Sequence, residues 1–151
     1  MYTARPVAAY LKATGRPALP SDAGAVFELL SKFATSYVPQ RAAFDTNYLV
    51  LIEASGAGLL VAERGGSLLG YALASDANTL FANGIVTELL ELYVEETERR
   101  RGLGRELVER AAARAKGRGA VEVTVPTRRA RSFYLALGFE ATAEYFKHKL
   151  R

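Results

Sequence analysis

The sequence predicts an α/β fold of the α+β type, in which helices cover both faces of a mixed central β-sheet. Two β-rich runs, residues 59–64 and 67–74, flank Gly65 and Gly66, a pair typical of a hairpin turn. Beyond them, apolar strand-like runs alternate with segments whose apolar residues recur at helical spacing. This alternation places helices against a sheet.

The other elements follow from the same periodicities. In chain order they are a strand ending at residues 15–20, helices over 22–33 and 40–54, the hairpin, a polar loop over 76–84, a central strand over 85–94, a helix over 103–116, a strand over 121–125, a helix over 128–137 and a last strand over 142–149. Ser21 or Asp22 is expected to cap the first helix. With 151 residues, half of them apolar, the chain is expected to form one domain over 1–151.

Composition excludes several kinds of site. The chain has no cysteine and one histidine, His148. Disulfides, thiolate metal sites, a cysteine acyl-enzyme and any site needing paired imidazoles are therefore excluded, and no metal is predicted. The apolar run near the N terminus is short and is followed at once by Lys12, so it predicts no signal or membrane segment. A cytoplasmic protein without a membrane partner is expected.

Charge is distributed unevenly along the chain. Residues 1–98 carry a net charge of −5, residues 99–131 carry +8, and residues 132–151 carry +1. This polarity suits a polyanionic ligand on one side and a cationic partner on the other. Part of the basic block, Arg110, Arg114, Lys116 and Arg118, is interpreted as the solvated face of a helix. Nucleic acid is the weaker interpretation of the block, because no stacking aromatic residues interleave the arginines.

The segment over residues 87–104, TELLELYVEETERRRGLG, predicts a phosphate-binding loop. An apolar helical face begins near Leu103, so the free amides of the first helical turn lie in the loop. Gly102 and Gly104 lack the Cβ that would hold a ligand away. Cationic side chains crowd the same helix end, namely Arg99, Arg100, Arg101 and Arg105. No lysine followed by Ser or Thr comes after the glycines, as a P-loop requires, and the third glycine of a dinucleotide fingerprint is missing.

A second motif lies about thirty residues further on. Ala130 and Tyr134 form A-x-x-x-Y in the last predicted helix, and Gly138 and Phe139 follow as a G-F pair. Together with R-x-x-G-x-G at residues 99–104, this order resembles the Gcn5-related N-acetyltransferase (GNAT) superfamily. The resemblance covers the chain well from residue 59 onward and the first third loosely. One departure is Thr127, which stands where family members often carry Asn.

The resemblance implies an N-acetyltransferase that uses acetyl-CoA and releases CoA. The amine of a small molecule or a peptide would attack directly in a ternary complex, without a protein nucleophile. The phenol of Tyr134 would return a proton to the departing thiolate. Cofactor contacts are implied for three segments: Leu92, Tyr93 and Val94 in the central strand; Arg99, Arg100, Arg101, Gly102, Leu103, Gly104 and Arg105 in the loop; and Thr127, Ala130 and Phe133 near the last helix.

The base that deprotonates the amine is left open between Glu88 and Glu91. These residues are three apart on one strand, so they are expected on opposite faces, with Glu88 sharing the parity of Leu92 and Val94. Glu88 is the candidate base and Glu91 the candidate amine ligand, while a structural ion pair is the alternative for each. The acidic turn at Glu95, Glu96 and Glu98 is expected to be solvated.

The acceptor's identity is also open. Metabolites, polyamines, antibiotics and peptide N termini all satisfy the pattern. Five aromatic residues could line the acceptor pocket, although core packing is the expected fate of each: Tyr37, Phe44, Tyr48, Phe81 and Tyr145. A CoA-binding sensor or assembly domain without catalysis is the alternative function, and a homodimer is left open as the assembly.

Overall fold

The computed structural model of the protein describes residues 12–151. Its elements are β1 (Thr14–Pro17), α1 (Ala23–Phe33), α2 (Arg41–Glu53), β2 (Ala57–Arg64), β3 (Ser67–Asn78), β4 (Ile85–Val94), α3 (Leu103–Gly117), β5 (Ala120–Thr124) and α4 (Arg131–Ala136). The short apolar run before Lys12, on which the prediction of no signal or membrane segment rests, lies outside the described residues. Within the described part, no helix has the length and apolarity needed to span a bilayer.

The five strands form one mixed sheet in the order β1-β2-β3-β4-β5. Neighbours from β1 to β4 are antiparallel, and β4 and β5 are parallel. The β2–β3 hairpin closes through Gly65 and Gly66 with φ of 56° and 83°, the positive values that a tight hairpin turn requires. The predicted fold class and hairpin are confirmed.

Two buried clusters lie on opposite faces of the sheet, each between the sheet and a layer of helices. On one face, Val26 and Leu29 of α1 and Tyr48 of α2 pack against Val61 and Tyr71 of the sheet. On the other face, α3 and α4 pack against β2, β3 and β4 through side chains that include Ala74, Leu89, Leu107 and Tyr134. We call these the α1 face and the α3 face. The predicted helices on both sides of the sheet are therefore present.

An extra residue interrupts β4. Leu73 of β3 pairs with Glu91, whereas the next residue, Ala74, pairs with Leu89, so Leu90 has no partner on β3. A bulge of this kind shifts the alternation of side chains by one position. Everything in β4 after Leu90 therefore lies on the opposite face from the one that simple counting predicts for it.

Two of the predicted elements depart most from the structure. Asp76 belongs to β3, which runs on to Asn78, and the loop begins only at Thr79. The predicted strand over residues 142–149 is not formed, and every residue of the segment is exposed. A strand exists only beside a hydrogen-bonded neighbour, and no element of residues 12–151 pairs with this one.

Candidate active site

The centre of the site is the place where β4 and β5 part. Their parallel pairing ends at Glu88 and Thr124, yet β4 continues to Val94. One edge of residues 89–94 therefore has no strand beside it in the described part of the chain. Its main-chain amides and carbonyls remain available to an extended ligand, which can bind there as an added strand would.

The N terminus of α3 lies beside this free edge. Gly102 occupies the N-cap with φ of 83°, and no side chain caps the helix. A Cβ on Gly104 would lie 3.4 Å from the Phe133 ring and 3.8 Å from Val94 Cγ2, so the helix start, α4 and β4 meet at this glycine. Gly104 thus allows these three elements to pack closely. The uncapped amides and the dipole of this 15-residue helix favour an anion here.

Arginines surround the helix start, as predicted, but two of them also shape the loop. Arg99 Nε donates to the carbonyl oxygen of Val94 at 3.0 Å, and its guanidinium lies 5.5 Å from the centre of the Tyr93 ring. Arg100 adopts φ of 62°, a left-handed conformation that is uncommon for a side chain with Cβ. The other arginines form surface pairs: Arg105 with Glu109 at 3.0 Å and Arg101 with Glu98 at 3.8 Å.

Glu98 anchors the loop, which sequence reasoning missed by treating the acidic turn as solvated. Its carboxylate accepts two hydrogen bonds from Arg64 of β2, at 3.1 and 2.9 Å. These bonds hold its pKa below the ordinary value, although partial burial opposes them. A bidentate pair of this kind is geometrically specific. It ties the turn before the arginines to the sheet.

A Schellman motif ends α4 and explains the spacing of Tyr134, Gly138 and Phe139. The amide of Phe139 donates to the carbonyl of Tyr134 at 3.0 Å, and that of Gly138 donates to the carbonyl of Leu135 at 3.1 Å. Gly138 has φ of 90°, as this cap demands. The motif that carried the resemblance is thus, in part, a helix stop.

Tyr134 is buried on the α3 face. Its side chain belongs to the cluster with Leu89 and Val94, and it is 7% exposed. Its ring meets Phe133 and Phe139 edge to face, with centroids 5.0 and 5.4 Å apart. Burial raises the pKa of Tyr134 to about 12, so the phenol keeps its proton at neutral pH.

Thr127 makes a local contact. Its hydroxyl accepts a hydrogen bond from the amide of Ala130 at 3.1 Å, which fixes the turn into α4. Ala130 and Phe133 pack at the edge of the α3-face cluster. The departure from Asn therefore preserves a side chain able to shape this turn.

Glu88 and Glu91 lie on the same face, and the expectation of opposite faces is wrong. Glu91 pairs with Leu73, which packs on the α1 face. Glu88 precedes Leu89 and follows Thr87, both of which face α3, so Glu88 also faces α1. The bulge at Leu90 accounts for the error. Burial raises the pKa of Glu91.

The same shift places neighbouring side chains. Tyr93 packs on the α1 face, 6.2 Å from Phe33 between ring centroids, so contacts to a ligand on the free edge are left to its main chain. Leu92 and Val94 face α3 with Leu103.

A polar network holds the far end of the sheet, and sequence reasoning missed it. Asp76 is nearly buried and accepts from Thr87 at 2.7 Å, from Arg114 at 3.1 Å and from Arg118 at 2.6 Å. Burial alone would raise its pKa, but these hydrogen bonds outweigh burial and lower it. Arg114 packs on Gly58, where a Cβ would lie 2.5 Å from its Nε. Arg114 and Arg118 are therefore not a solvated face. The only sequence signals were a strand glycine and an acidic residue in an apolar run.

The aromatic residues proposed for an acceptor pocket divide into two groups. Tyr48 is buried and Phe44 packs against the α1-face cluster, as expected. Tyr37, Phe81 and Tyr145 are exposed, so the expectation of core packing is wrong for them. His148 is exposed.

Within residues 12–151, the mixed sheet opens at its one parallel pair, β4 and β5, beside the uncapped start of α3. The family model "Acetyltransferase (GNAT) family" matches residues 24–139. The chain therefore belongs to the GNAT acetyltransferase family. It has no significant match among curated protein sequences.

Solved structures support the same fold. A transcriptional regulator from Bacillus halodurans C-125 has a TM-score of 0.82 at 23% identity, covering 92% of this chain and 100% of that one. Glucosamine-6-phosphate N-acetyltransferase from Arabidopsis thaliana has a TM-score of 0.82 at 18% identity, covering 93% and 99%. Aminoglycoside N-acetyltransferase AAC(6')-Iy in complex with CoA has a TM-score of 0.83 at 18% identity, covering 99% of each chain.

Proposed function

We propose that the protein is an N-acetyltransferase that uses acetyl-CoA and acts on a primary amine. The observation that carries the proposal is the free edge of β4, whose Val94 packs in one buried cluster with Leu103 at the uncapped start of α3 and with Tyr134. Family membership supports the reaction class, and the CoA-bound AAC(6')-Iy supports the cofactor.

The residues present fit the cofactor. CoA joins a pyrophosphate to an extended amide chain that ends in a thiol. The amides after Gly102 and the guanidinium of Arg100 would hold the pyrophosphate, and the main chain of residues 91–94 would pair with the amide groups. When bound, acetyl-CoA supplies an activated acyl group as a thioester.

Tyr134 supplies a proton donor on the α3 side. With a pKa of about 12 it is protonated throughout the neutral range, so it can hydrogen-bond to a sulfur on which negative charge develops. An unperturbed thiol titrates at about 8.5, so complete transfer from this phenol becomes favourable only when the anion itself is poorly solvated. The water-poor surroundings of Tyr134 meet that condition.

Glu91 is proposed as the base in place of Glu88, which reverses the roles that the sequence suggested for the two residues. A free alkylamine titrates near 10.4 and is mainly charged at neutral pH, so it must lose a proton before it attacks. Burial raises the pKa of Glu91, which makes its carboxylate a stronger base than an exposed one. Glu88 lies on the same face and would hold the ammonium group.

The acceptor proposed here is a cationic amine. The carboxylates of Glu88 and Glu91 face α1, and residues 1–98 carry a net charge of −5. A negative surface attracts and concentrates positively charged substrates. Small polyamines, aminoglycoside-like amines and peptide N termini all have the required group.

A thiol-release assay with acetyl-CoA across a panel of these amines tests the proposal. Release above the rate of acetyl-CoA alone, with at least one amine, is the expected result. Saturable CoA binding by calorimetry, with no release from any amine, would instead support the CoA-binding domain without catalysis. A thermal shift with CoA, run beside free phosphate and adenosine, separates cofactor recognition from binding of any anion.

A further inference from the structure

Tyr71 of β3 is a buried tyrosine whose hydroxyl has no hydrogen-bond partner in the described part of the chain. The residue is 1% exposed and packs in the α1-face cluster. Within residues 12–151, its hydroxyl oxygen is buried and makes no hydrogen bond. A buried polar group without a partner loses its hydration and gains nothing in return, so nearly all such groups in folded proteins are paired. An acceptor close to this hydroxyl is therefore expected.

Glu91 of β4 is the complementary case, an acceptor without a donor. Burial raises the pKa of Glu91, and within residues 12–151 no cation or hydrogen-bond donor opposes this effect. A carboxylate must be ionised before it can accept a proton, and burial without a compensating donor favours the neutral acid. Burial alone therefore works against the role proposed for Glu91.

The register of β3 against β4 places these two groups beside each other. Tyr71 pairs with Tyr93, and Leu73 pairs with Glu91, so Tyr71 and Glu91 are diagonal neighbours on the α1 face. Diagonal neighbours of an antiparallel pair lie about 7–8 Å apart, a distance within reach of aromatic and long side chains. The charge of Glu91 adds to burial in raising the pKa of Tyr71, so the two groups interact electrostatically.

The other titratable groups near the α1 face are Glu28 and Lys32 of α1, Tyr48 of α2, Glu63 of β2, and Glu88 and Tyr93 of β4. Lys32 pairs with Glu95 at 2.5 Å. Glu63 pairs with Arg16 at 2.6 Å. The hydroxyl of Tyr48 donates to a main-chain carbonyl at 2.5 Å. Burial is the one cause of the raised pKa of Glu91, so none of these groups compensates it.

We propose that Tyr71 is a positioning residue whose hydroxyl donates a hydrogen bond to the carboxylate of Glu91 and keeps that carboxylate ionised. Rotation about the side-chain bonds of Glu91 would make the bond without a change in the main chain. A hydrogen bond to a carboxylate is about twice as strong as one between neutral groups, and it gives both buried groups a partner. The role of Tyr71 in catalysis rests on the proposed acetyltransferase activity, whereas the hydrogen bond does not depend on it.

Urea denaturation tests the hydrogen bond without any substrate. At neutral pH, Tyr71→Phe should unfold at a lower urea concentration than the wild type, because the donor is lost. The difference is complete while Glu91 is ionised and should shrink as the pH falls through the pKa of Glu91, since the neutral acid accepts a weaker bond. Tyr48→Phe is the matched control, because its acceptor is the carbonyl of Leu19, which does not titrate. Its loss of stability should therefore not follow the ionisation of Glu91.

Three outcomes of these measurements contradict the hydrogen bond. The first is a Tyr71→Phe protein at least as stable as the wild type at neutral pH, which would show that the hydroxyl is unpaired in solution. The second is a stability difference that stays constant into acid. The third is an acid-sensitive loss in Tyr93→Phe in place of Tyr71→Phe, which would assign the donor to the other phenol beside Glu91.

A double-mutant cycle with Glu91→Leu isolates the pair. In the Glu91→Leu background no acceptor remains, so Tyr71→Phe should no longer lower the urea midpoint. Equal effects of Tyr71→Phe in both backgrounds would show that the two side chains do not interact, and would overturn the proposal.

The pH profile of thiol release tests the role in catalysis. With an amine that the wild type acetylates, the acid limb of turnover in Tyr71→Phe should move upward by about one pH unit, a tenfold change in the ionisation of Glu91. Turnover should recover at higher pH, and the acid limb of Tyr48→Phe should stay in place. Coinciding limbs in the wild type and Tyr71→Phe would overturn the positioning role. A wild type that releases thiol with no amine would refute the acetyltransferase instead, and the urea measurements would still decide on the hydrogen bond.

Discussion

Tyr134 performs two tasks that one pair of substitutions can separate. Its ring packs against Phe133 and Phe139, and its hydroxyl is the proposed proton donor. Tyr134→Phe keeps the ring and its edge-to-face contacts with Phe133 and Phe139, at 5.0 and 5.4 Å between centroids. Tyr134→Leu removes both contacts together with the hydroxyl.

Tyr134→Phe is expected to lower turnover alone, whereas Tyr134→Leu is expected to lower thermal stability as well. Loss of a general acid lowers turnover by about 10² to 10⁴, which corresponds to about 3–5 kcal/mol in the barrier. Tyr134→Phe should show this loss while its midpoint of thermal unfolding stays within about 2 °C of the wild type. Tyr134→Leu gives up two aromatic pairs of about 0.5–1.5 kcal/mol each, hence about 1–3 kcal/mol and several degrees in the midpoint.

Thiol-release kinetics, CoA titration and scanning calorimetry measure these effects. Phe139→Leu is the control, since it removes one ring contact and leaves the phenol in place; it should lower the unfolding midpoint without the large loss of turnover. If Tyr134→Phe turns over at the wild-type rate, the hydroxyl takes no part in the chemistry and Tyr134 is only the ring of a helix cap.

Three further outcomes are expected. Gly104→Val should abolish the thermal stabilisation that CoA gives, because the new methyl groups would occupy the space between Val94 and the Phe133 ring at the helix start; unchanged CoA affinity in calorimetry would remove this helix from the binding site. Glu91→Gln should lower turnover at neutral pH and recover part of it as the pH rises and the amine loses its proton unaided, whereas Glu88→Gln should mainly raise the acceptor's KM; pH profiles without any difference between the two variants would refute the assignment. Asp76→Asn should destabilise the fold by about 1–3 kcal/mol, because buried and partly buried hydrogen-bonded charges lose their partner. The pKa of the Asp76 carboxyl is lower in the folded protein than its ordinary value near 3.9. Its contribution to the free energy of unfolding is therefore complete above that ordinary value and is lost as the pH falls through the folded pKa. The stabilities of the wild type and of Asp76→Asn, measured by urea denaturation, should converge in acid.

The fold was predictable where local chemistry determines it. The Gly65-Gly66 turn and the helical spacing after Leu103 each follow from the residues present. These signals depend on the nearest few positions, which is why they can be read from a single sequence.

The errors concern contacts between distant parts of the chain. The Arg114–Asp76 pair joins residues 38 positions apart, and neither side chain identifies its partner in sequence. The bulge at Leu90 depends on the register of β3 against β4, so counting along β4 alone could not find it. The strand expected over residues 142–149 had the correct pattern, but a pattern cannot supply the neighbour that a strand requires.

The extra residue Leu90 reverses the face on which every later side chain of β4 lies. Without the bulge, a regular strand with the same sequence would turn the two carboxylates to opposite faces of the sheet, because they are three positions apart. Sequences of related strands aligned by their ends alone would then equate residues that point in opposite directions. The placement of Glu88 and Glu91 on one face therefore depends on the bulge as well as on their positions in the sequence.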